Sequence, residues 1–333
     1  MKNQFPTISA TTSTLSETEL EAFAIGKYNL DKNTKCKLFR TGINHTYMLS
    51  NDSVKYVLRV YFLDWKSELE ISEELDLLRM LDAHGIGVSI PVSDTFGNFI
   101  QAINAPEGLR FAVLFTFGEG EKIRFLDDAT CTTIGSTMAK MHNVTIGEKV
   151  KRIDFDENAL LLSAYEKIKT IFPGELPEMN YVKEKVMEIS DVLVSDKFSN
   201  LPNGIVHLDI WYDNMNVKSQ NDITIFDFDN CGNGALMLDV AYFCKQLFHI
   251  ETDKEVYERK VKSFLVGYEK HRRLSQQELS KIPESGAAIF IYYLGMQASR
   301  FDWSNIFLSE NYLKMYTGRI KSWLEYEHSK SLI

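Results

Sequence analysis

The chain has 333 residues, 44% of them hydrophobic and 25% charged, and carries a net charge of −9. That length and apolar content suit a globular protein of two domains, or of one domain in two lobes, with a sizeable core. The acidic balance argues against a nucleic-acid partner, whose phosphates demand a basic face, and would suit a cationic acceptor such as an amine.

Cys36, Cys131, Cys231 and Cys244 show no C-x-x-C spacing, the pattern of reduced thiols in a cytosolic protein. Residues 1–16 are polar, rich in Ser and Thr, and read as a loosely held arm without the layout of a signal peptide. No apolar run approaches the ~20 residues that cross a bilayer. The expected location is cytoplasmic, with no membrane partner.

A helix is expected to start at Ser16-Glu17-Thr18-Glu19, where acidic residues fill the first turn. Strands follow from Cys36 to Phe62. The segments His45 to Leu49 and Lys55 to Phe62 form an antiparallel hairpin around the turn Ser50-Asn51-Asp52-Ser53. Leu69, Glu73, Leu77 and Met80 place a helix over 66–83, closed by Gly85. Residues 90–117 read as further strands, with an apolar one from Phe111 to Phe115.

After Gly118-Glu119-Gly120 the texture turns helical, over Ala129 to His142, Leu160 to Phe172 and most of 234–330, with a break near Pro283 to Gly286. The composition changes at about 116–121, the expected hinge. The expected division is therefore an N-terminal lobe over 1–117, a sheet plus one helix that binds nucleotide. A helical lobe over 118–333 would hold the catalytic loop and acceptor site.

The most informative stretch runs from Ile205 to Asn214. His207, Asp209 and Asn214 make an H-x-D-x-x-x-x-N signature, and Asp227 follows at the end of the apolar run Ile223-Thr224-Ile225-Phe226. Phosphoryl transfer from a nucleotide needs these parts: an Asp to accept the hydroxyl proton, an Asn for one metal ion and a second Asp for metal between phosphates. Asp209 is the expected base. Asn214 and Asp227 are the expected ligands of Mg²⁺, a hard cation that prefers oxygen. His207 is expected to hold the loop beside the metal Asp. Asp229, two residues on, would share the face of Asp227 in extended geometry, and Asp213 reads as a solvated loop charge.

On the strand Lys55 to Phe62, alternation puts Lys55, Val57, Arg59 and Tyr61 on one face. Val57 would pack on a nucleotide base and Arg59 would meet phosphates. Glu74 is the candidate partner for Arg59, with Glu70 and Glu73 as rivals. The loop Gly42 to Thr46 lies where a phosphate-covering loop would be, and reads equally well as a plain turn. Tyr292, Tyr293, Arg300, Asp302 and Trp303 form a polar-aromatic cluster that would line an acceptor pocket or, more simply, pack helices.

In this order the features resemble the aminoglycoside phosphotransferase and choline kinase family. The resemblance implies a protein-kinase-like α+β fold with a small β-rich N-lobe and a larger, mainly helical C-lobe. It further implies transfer of the γ-phosphate of ATP (or GTP), with Mg²⁺, to a hydroxyl of a small molecule such as an aminoglycoside, choline or homoserine. Ile225 to Asp229 looks like the family's metal segment, and Val57 to Tyr61 like its phosphate-contacting strand. Phe111 to Phe117, with Phe115 and Phe117, falls where its hinge meets the adenine. Leu238-Asp239-Val240-Ala241 resembles a segment whose Asp braces the catalytic loop. Leu208 stands where the family commonly has Gly, and Trp211 where a small residue or His is usual. No G-x-G-x-x-G loop and no A-P-E are present, so the chain looks unlike an ordinary protein kinase. A stress-response-type Ser/Thr kinase of the same fold and a degenerate nucleotide-binding module remain as alternatives. The D-x-D at Asp227 and Asp229 also resembles a haloacid-dehalogenase-type phosphatase, with Cys231 where that family wants Thr or Val.

Overall fold

A computed structural model describes residues 8–220, 222–300 and 304–330, the side chains of 196 and 197 excepted. These residues divide into two compact units, one drawn from Met1–Met80 and Ser89–Phe117, the other from Leu81–Val88 and Gly118–Ile333.

The first unit opens with helix α1 (Glu17–Tyr28). The Ser16 hydroxyl accepts the Glu19 N–H, the cap that the sequence pattern expects. Strands β1 (Lys35–Arg40), β2 (His45–Ser50) and β3 (Lys55–Val60) follow, then helix α2 (Glu68–Ala83) and strands β4 (Pro91–Val92), β5 (Ile100–Ala105) and β6 (Gly108–Thr116). All pair antiparallel in the order β1-β2-β3-β6-β4, with β5 also on β6. The β2–β3 hairpin is the one expected. The apolar run at 111–115 is longer than expected, because it is one arm of a second hairpin with β5.

Alternation sorts the sheet into two faces. Tyr47, Leu58 and Leu114 lie side by side in register and pack with Leu49, Val60 and Ala112 beneath Leu20, Ala24 and Tyr28 of α1. Val57 and Arg59 alternate to the other face. At the sheet edge, Glu21 and Glu17 accept the N–H groups of Cys36 and Leu38 at 3.0 and 2.8 Å, so helix side chains satisfy donors that no strand reaches. The expected loose arm is tied down where it is described. Arg110, fully buried, donates to the Ser13 carbonyl at 2.9 Å, and the Tyr47 hydroxyl donates to that of Leu15 at 3.0 Å. Residues 1–7 of that arm lie outside the described residues.

The second unit begins with helix α3 (Asp128–Thr145). A π-helical turn at Asn158–Leu162 runs into α4 (Ser163–Lys169), where a single helix over 160–172 was expected. Next come α5 (Pro177–Leu193), α6 (Asp196–Ser199), β7 (Asn203–Val206), β8 (Met215–Ser219), β9 (Asp222–Ile225) and β10 (Gly232–Ala235). Strand β7 pairs with β10 and β8 with β9, both antiparallel. Helices α7 (Met237–Ile250), α8 (Lys254–Glu269), α9 (Gln276–Leu279), α10 (Ile282–Ser299) and α11 (Glu310–Lys330) complete it. Pro283 opens α10 instead of breaking a helix, because a first-turn residue needs no N–H donor. Helices α3 and α8 cross at a contact only glycines allow. A Cβ on Gly267 would lie 1.9 Å from the Thr132 carbonyl oxygen, and one on Gly135 2.0 Å from that of Phe264. Among the described residues no helix is long and apolar enough to cross a membrane.

Candidate active site

Strand β7 ends at Val206 and delivers His207, Leu208 and Asp209 into a loop held from beneath. The Asp239 carboxylate, fully buried in the first turn of α7, accepts the N–H of His207 at 3.0 Å and of Leu208 at 2.6 Å. The same carboxylate lies 3.0 Å from Nε2 of His142 on α3, whose Nδ1 lies 2.6 Å from the Tyr268 hydroxyl. Tyr268 also accepts from Arg272, which pairs with Glu278 at 2.5 Å. The loop therefore rests on a buried chain of polar groups with matched partners, the arrangement that rigidifies rather than destabilises. Two backbone residues sit in the left-handed region, Leu208 at φ 60° and Asp227 at φ 67°.

His207 joins the two segments that carry the expected catalytic residues. Its Nδ1 accepts the Asp209 N–H at 3.2 Å, so Nε2 carries the proton and donates to the Phe226 carbonyl at 3.2 Å. Burial lowers its pKa, in keeping with this neutral tautomer. Asn214 ties the loop to the same strand, since the Phe226 N–H donates to its carbonyl at 3.0 Å. Its side-chain amide donates to the Asp209 carbonyl at 3.1 Å, which leaves the amide oxygen to face elsewhere.

The Asp209 carboxylate accepts a hydrogen bond from the Tyr242 hydroxyl of α7. Burial pushes its pKa up to about 7; the Asp227 carboxylate adds repulsion, while the Tyr242 bond and the Lys245 ammonium oppose the rise. Two carboxylates that repel each other, with an amide oxygen nearby, form a donor set suited to a divalent cation. Among the described residues no group of three or more His, Cys, Asp and Glu side chains gathers to hold a metal ion. That fits an ion such as Mg²⁺, which takes one or two protein oxygens and fills its other positions with phosphate and water.

Asp229 does not share a face with Asp227 as extended geometry would require. Phe228–Asn230 is a 3₁₀ turn, and its tighter rise rotates Asp229 into the interior, where it is buried. Asp213 is no lone loop charge, since it pairs with Lys122 at 2.7 Å. Trp211 packs its ring against that of Tyr212, centroids 4.6 Å apart.

In the sheet unit, Arg59 is buried and pairs with Glu74 of α2 at 2.8 Å. The Tyr61 hydroxyl donates to the other Glu74 oxygen at 3.3 Å, and the Arg59 guanidinium stands 5.0 Å from the centroid of the Phe115 ring. Glu70 instead caps α2 by accepting the Ser67 N–H at 2.9 Å. Val57 lies opposite Phe115 in register, and the Lys55 ammonium stands over the Phe117 ring at 5.4 Å. In the Gly42 to Thr46 loop, Asn44 accepts the Phe62 N–H at 3.1 Å.

Several participants carry no mark in the sequence. Tyr242 is an ordinary apolar-face residue of α7 by spacing, and Arg152 a scattered cation, yet Arg152 is buried and donates to the carbonyls of Asp229 and, at 3.0 Å, of Cys231. Tyr293 does more than pack helices: its hydroxyl donates to the Leu208 carbonyl at 3.0 Å. Asp302 and Trp303 of the same expected cluster lie outside the described residues.

Residues 35–274 match the sequence profile of the phosphotransferase enzyme family. Among sequence relatives, the homoserine kinase of Agrobacterium fabrum is 24% identical over 292 residues, 87% of this chain and 86% of its own. An uncharacterized protein of Deinococcus radiodurans is 26% identical over 290 residues, 86% and 84% of the two chains. Among solved structures, the microcompartment-associated aminopropanol kinase superposes with a TM-score of 0.75 at 20% identity, over 92% of this chain and 95% of that one. Amicoumacin kinase in complex with AMP-PNP and Ca²⁺ gives 0.73 at 21% identity, over 92% and 94%. These likenesses show a protein-kinase-like fold, with a small antiparallel sheet in the N-lobe and a helical C-lobe, and leave the phosphatase reading of Asp227 and Asp229 without support. With the matched segment spanning most of its length, the chain belongs to the phosphotransferase enzyme family and is a kinase acting on a hydroxyl group.

Proposed function

We propose that this kinase transfers the γ-phosphate of ATP to a hydroxyl of a small-molecule acceptor, with Asp209 as the base. The observation that carries the reading is the setting of the Asp209 carboxylate. It is oriented by Tyr242, beside Asn214 and Asp227, on a loop whose backbone is clamped by Asp239. In a loose phosphoryl-transfer transition state the base mainly orients the hydroxyl, so a rigid mount is the property that matters. Asn214 and Asp227 would hold Mg²⁺, which when bound neutralises charge on the transferring phosphoryl group.

In the N-lobe, over 1–117, Val57 packs on the base, Arg59 held by Glu74 meets phosphate, and Phe115 and Phe117 belong to the segment that meets the adenine edge. The C-lobe, over 118–333, supplies the chemistry and the acceptor contacts. Homoserine kinases among the relatives and an aminopropanol kinase among the structural neighbours favour a small acceptor over a protein one. The AMP-PNP in one neighbour favours an adenine nucleotide over GTP. Four buried free thiols are in keeping with a cytoplasmic protein.

Mg²⁺-dependent ADP release over a panel of small hydroxy compounds tests the reading. Asp209→Asn should lower kcat by about a thousandfold, the range for loss of a positioned base. An Asp209→Asn protein with full activity would sink the assignment. Saturating ATP at about 100 times its Kd should also stabilise the fold by about 2.7 kcal/mol, in a Mg²⁺-dependent way lost in Asp227→Ala.

A further inference from the structure

One turn beyond Tyr242 on α7 lies Lys245, only 2% exposed. Its ammonium stands 4.2 Å from the ring centroids of both Tyr242 and Phe290, and its polar partner is the Gln246 side-chain oxygen at 3.3 Å. Arg319 of α11 acts on Lys245 as a second positive charge, and both act on His249, one turn further along α7. The His249 Nε2 is buried with no hydrogen-bond partner. Among the described residues neither Lys245 nor Arg319 has a carboxylate within ion-pair distance. The acid that reaches Lys245 electrostatically is Asp209, which is already bonded to Tyr242.

Cations gathered in a partly dry site repel each other, and buried N–H donors without acceptors are costly. A bound anion removes both penalties. We propose that the acceptor is a short hydroxy acid, and that Lys245 and Arg319 form the subsite for its carboxylate. The proposal rests on the kinase reading above. Tyr242 sets the spacing: its hydroxyl touches Asp209 while its ring touches Lys245, so hydroxyl and carboxylate of one small molecule are recognised a tyrosine ring apart. An acceptor bearing an ammonium and no acid would meet like charge here, because Lys245 already occupies the aromatic faces that would hold a cation. The acidity of the whole chain, which suits an amine, is thus reversed locally.

The experiment compares kcat/KM for matched acceptors: a γ-hydroxy α-amino acid against its decarboxylated amino alcohol, and the β-hydroxy pair likewise. The native enzyme should favour the acid by about ten- to a hundredfold, the value of a charge-assisted bond. Lys245→Met and Arg319→Met should each shrink that ratio, and Lys245→Arg should keep part of it. Thermal unfolding checks each variant, and Arg319, being partly exposed, gives one that should fold in any case. Equal or better turnover of the amino alcohols, or a ratio unmoved in both Met variants, overturns the proposal. So does a complete lack of turnover on hydroxy acids while Mg²⁺–ATP still stabilises the protein. Loss of that nucleotide effect would instead count against the kinase reading itself.

Discussion

Leu208 donates its N–H to Asp239 Oδ1 at 2.6 Å while its own backbone sits in the left-handed region at φ 60°. A leucine there costs about 1–2 kcal/mol. Its side chain is fully buried, which returns about 1.5–3 kcal/mol. Alanine would keep the strain and lose the contacts, whereas glycine would lose the contacts and the strain together. Leu208→Gly should therefore be more stable than Leu208→Ala by about 1 kcal/mol in urea unfolding, the reverse of their order in a helix. Alanine equal to or better than glycine would mean that this backbone conformation carries no strain.

Three groups converge on the Asp239 carboxylate: the N–H of His207, the N–H of Leu208 and His142 Nε2. An asparagine offers one oxygen and turns an NH₂ toward a donor. Asp239→Asn should cost about 2–3 kcal/mol and lower kcat, while the stabilisation by Mg²⁺–ATP persists. Unchanged kcat in the folded variant would show that the clamp does not position Asp209.

Burial, aided by Arg319, pulls the Lys245 pKa from 10.5 down to about 7. Between those values the unfolded chain keeps a proton that the folded chain has lost. Stability therefore rises with pH across this window, from this group, and the folded state is penalised below about pH 7. Lys245→Met should remove that contribution. Urea unfolding at pH 7, 8 and 9 reads it as a gap between native and variant that narrows as pH rises, and parallel curves would contradict it.

Arg59 and Glu74 pair with 11% and 0% of their side chains exposed. Removing one partner leaves a buried charge, so Arg59→Met should cost about 3–5 kcal/mol, whereas Arg59→Met with Glu74→Leu should recover most of it. If Arg59 meets phosphate, the stable double variant should still show a raised KM for ATP. A double variant with native KM would make the pair purely structural.

The chemistry was readable because its residues are close in sequence: His207 to Asn214 are one loop, and Asp227 ends the following hairpin. The β2–β3 hairpin and the face that carries Arg59 were readable from alternation alone. Readings that extrapolated regular geometry failed where the backbone departs from it. The 3₁₀ turn after Asp227 turned Asp229 inward, and the π-helical turn at Asn158–Leu162 interrupted a uniform helix. Pro283 marked a beginning and read as a break.

Sequence by itself determined the two textures of the chain, the motif loop and the family, because local periodicity and short spacings survive without a fold. Only the tertiary structure decided what surrounds the motif. Asp239, Tyr242 and Tyr293 reach the loop from helices 31, 33 and 85 residues away. Lys245 and Arg319 become neighbours through the packing of α7 and α11. Those contacts come from helix faces set by burial, and no spacing along the chain encodes which buried polar group will meet which.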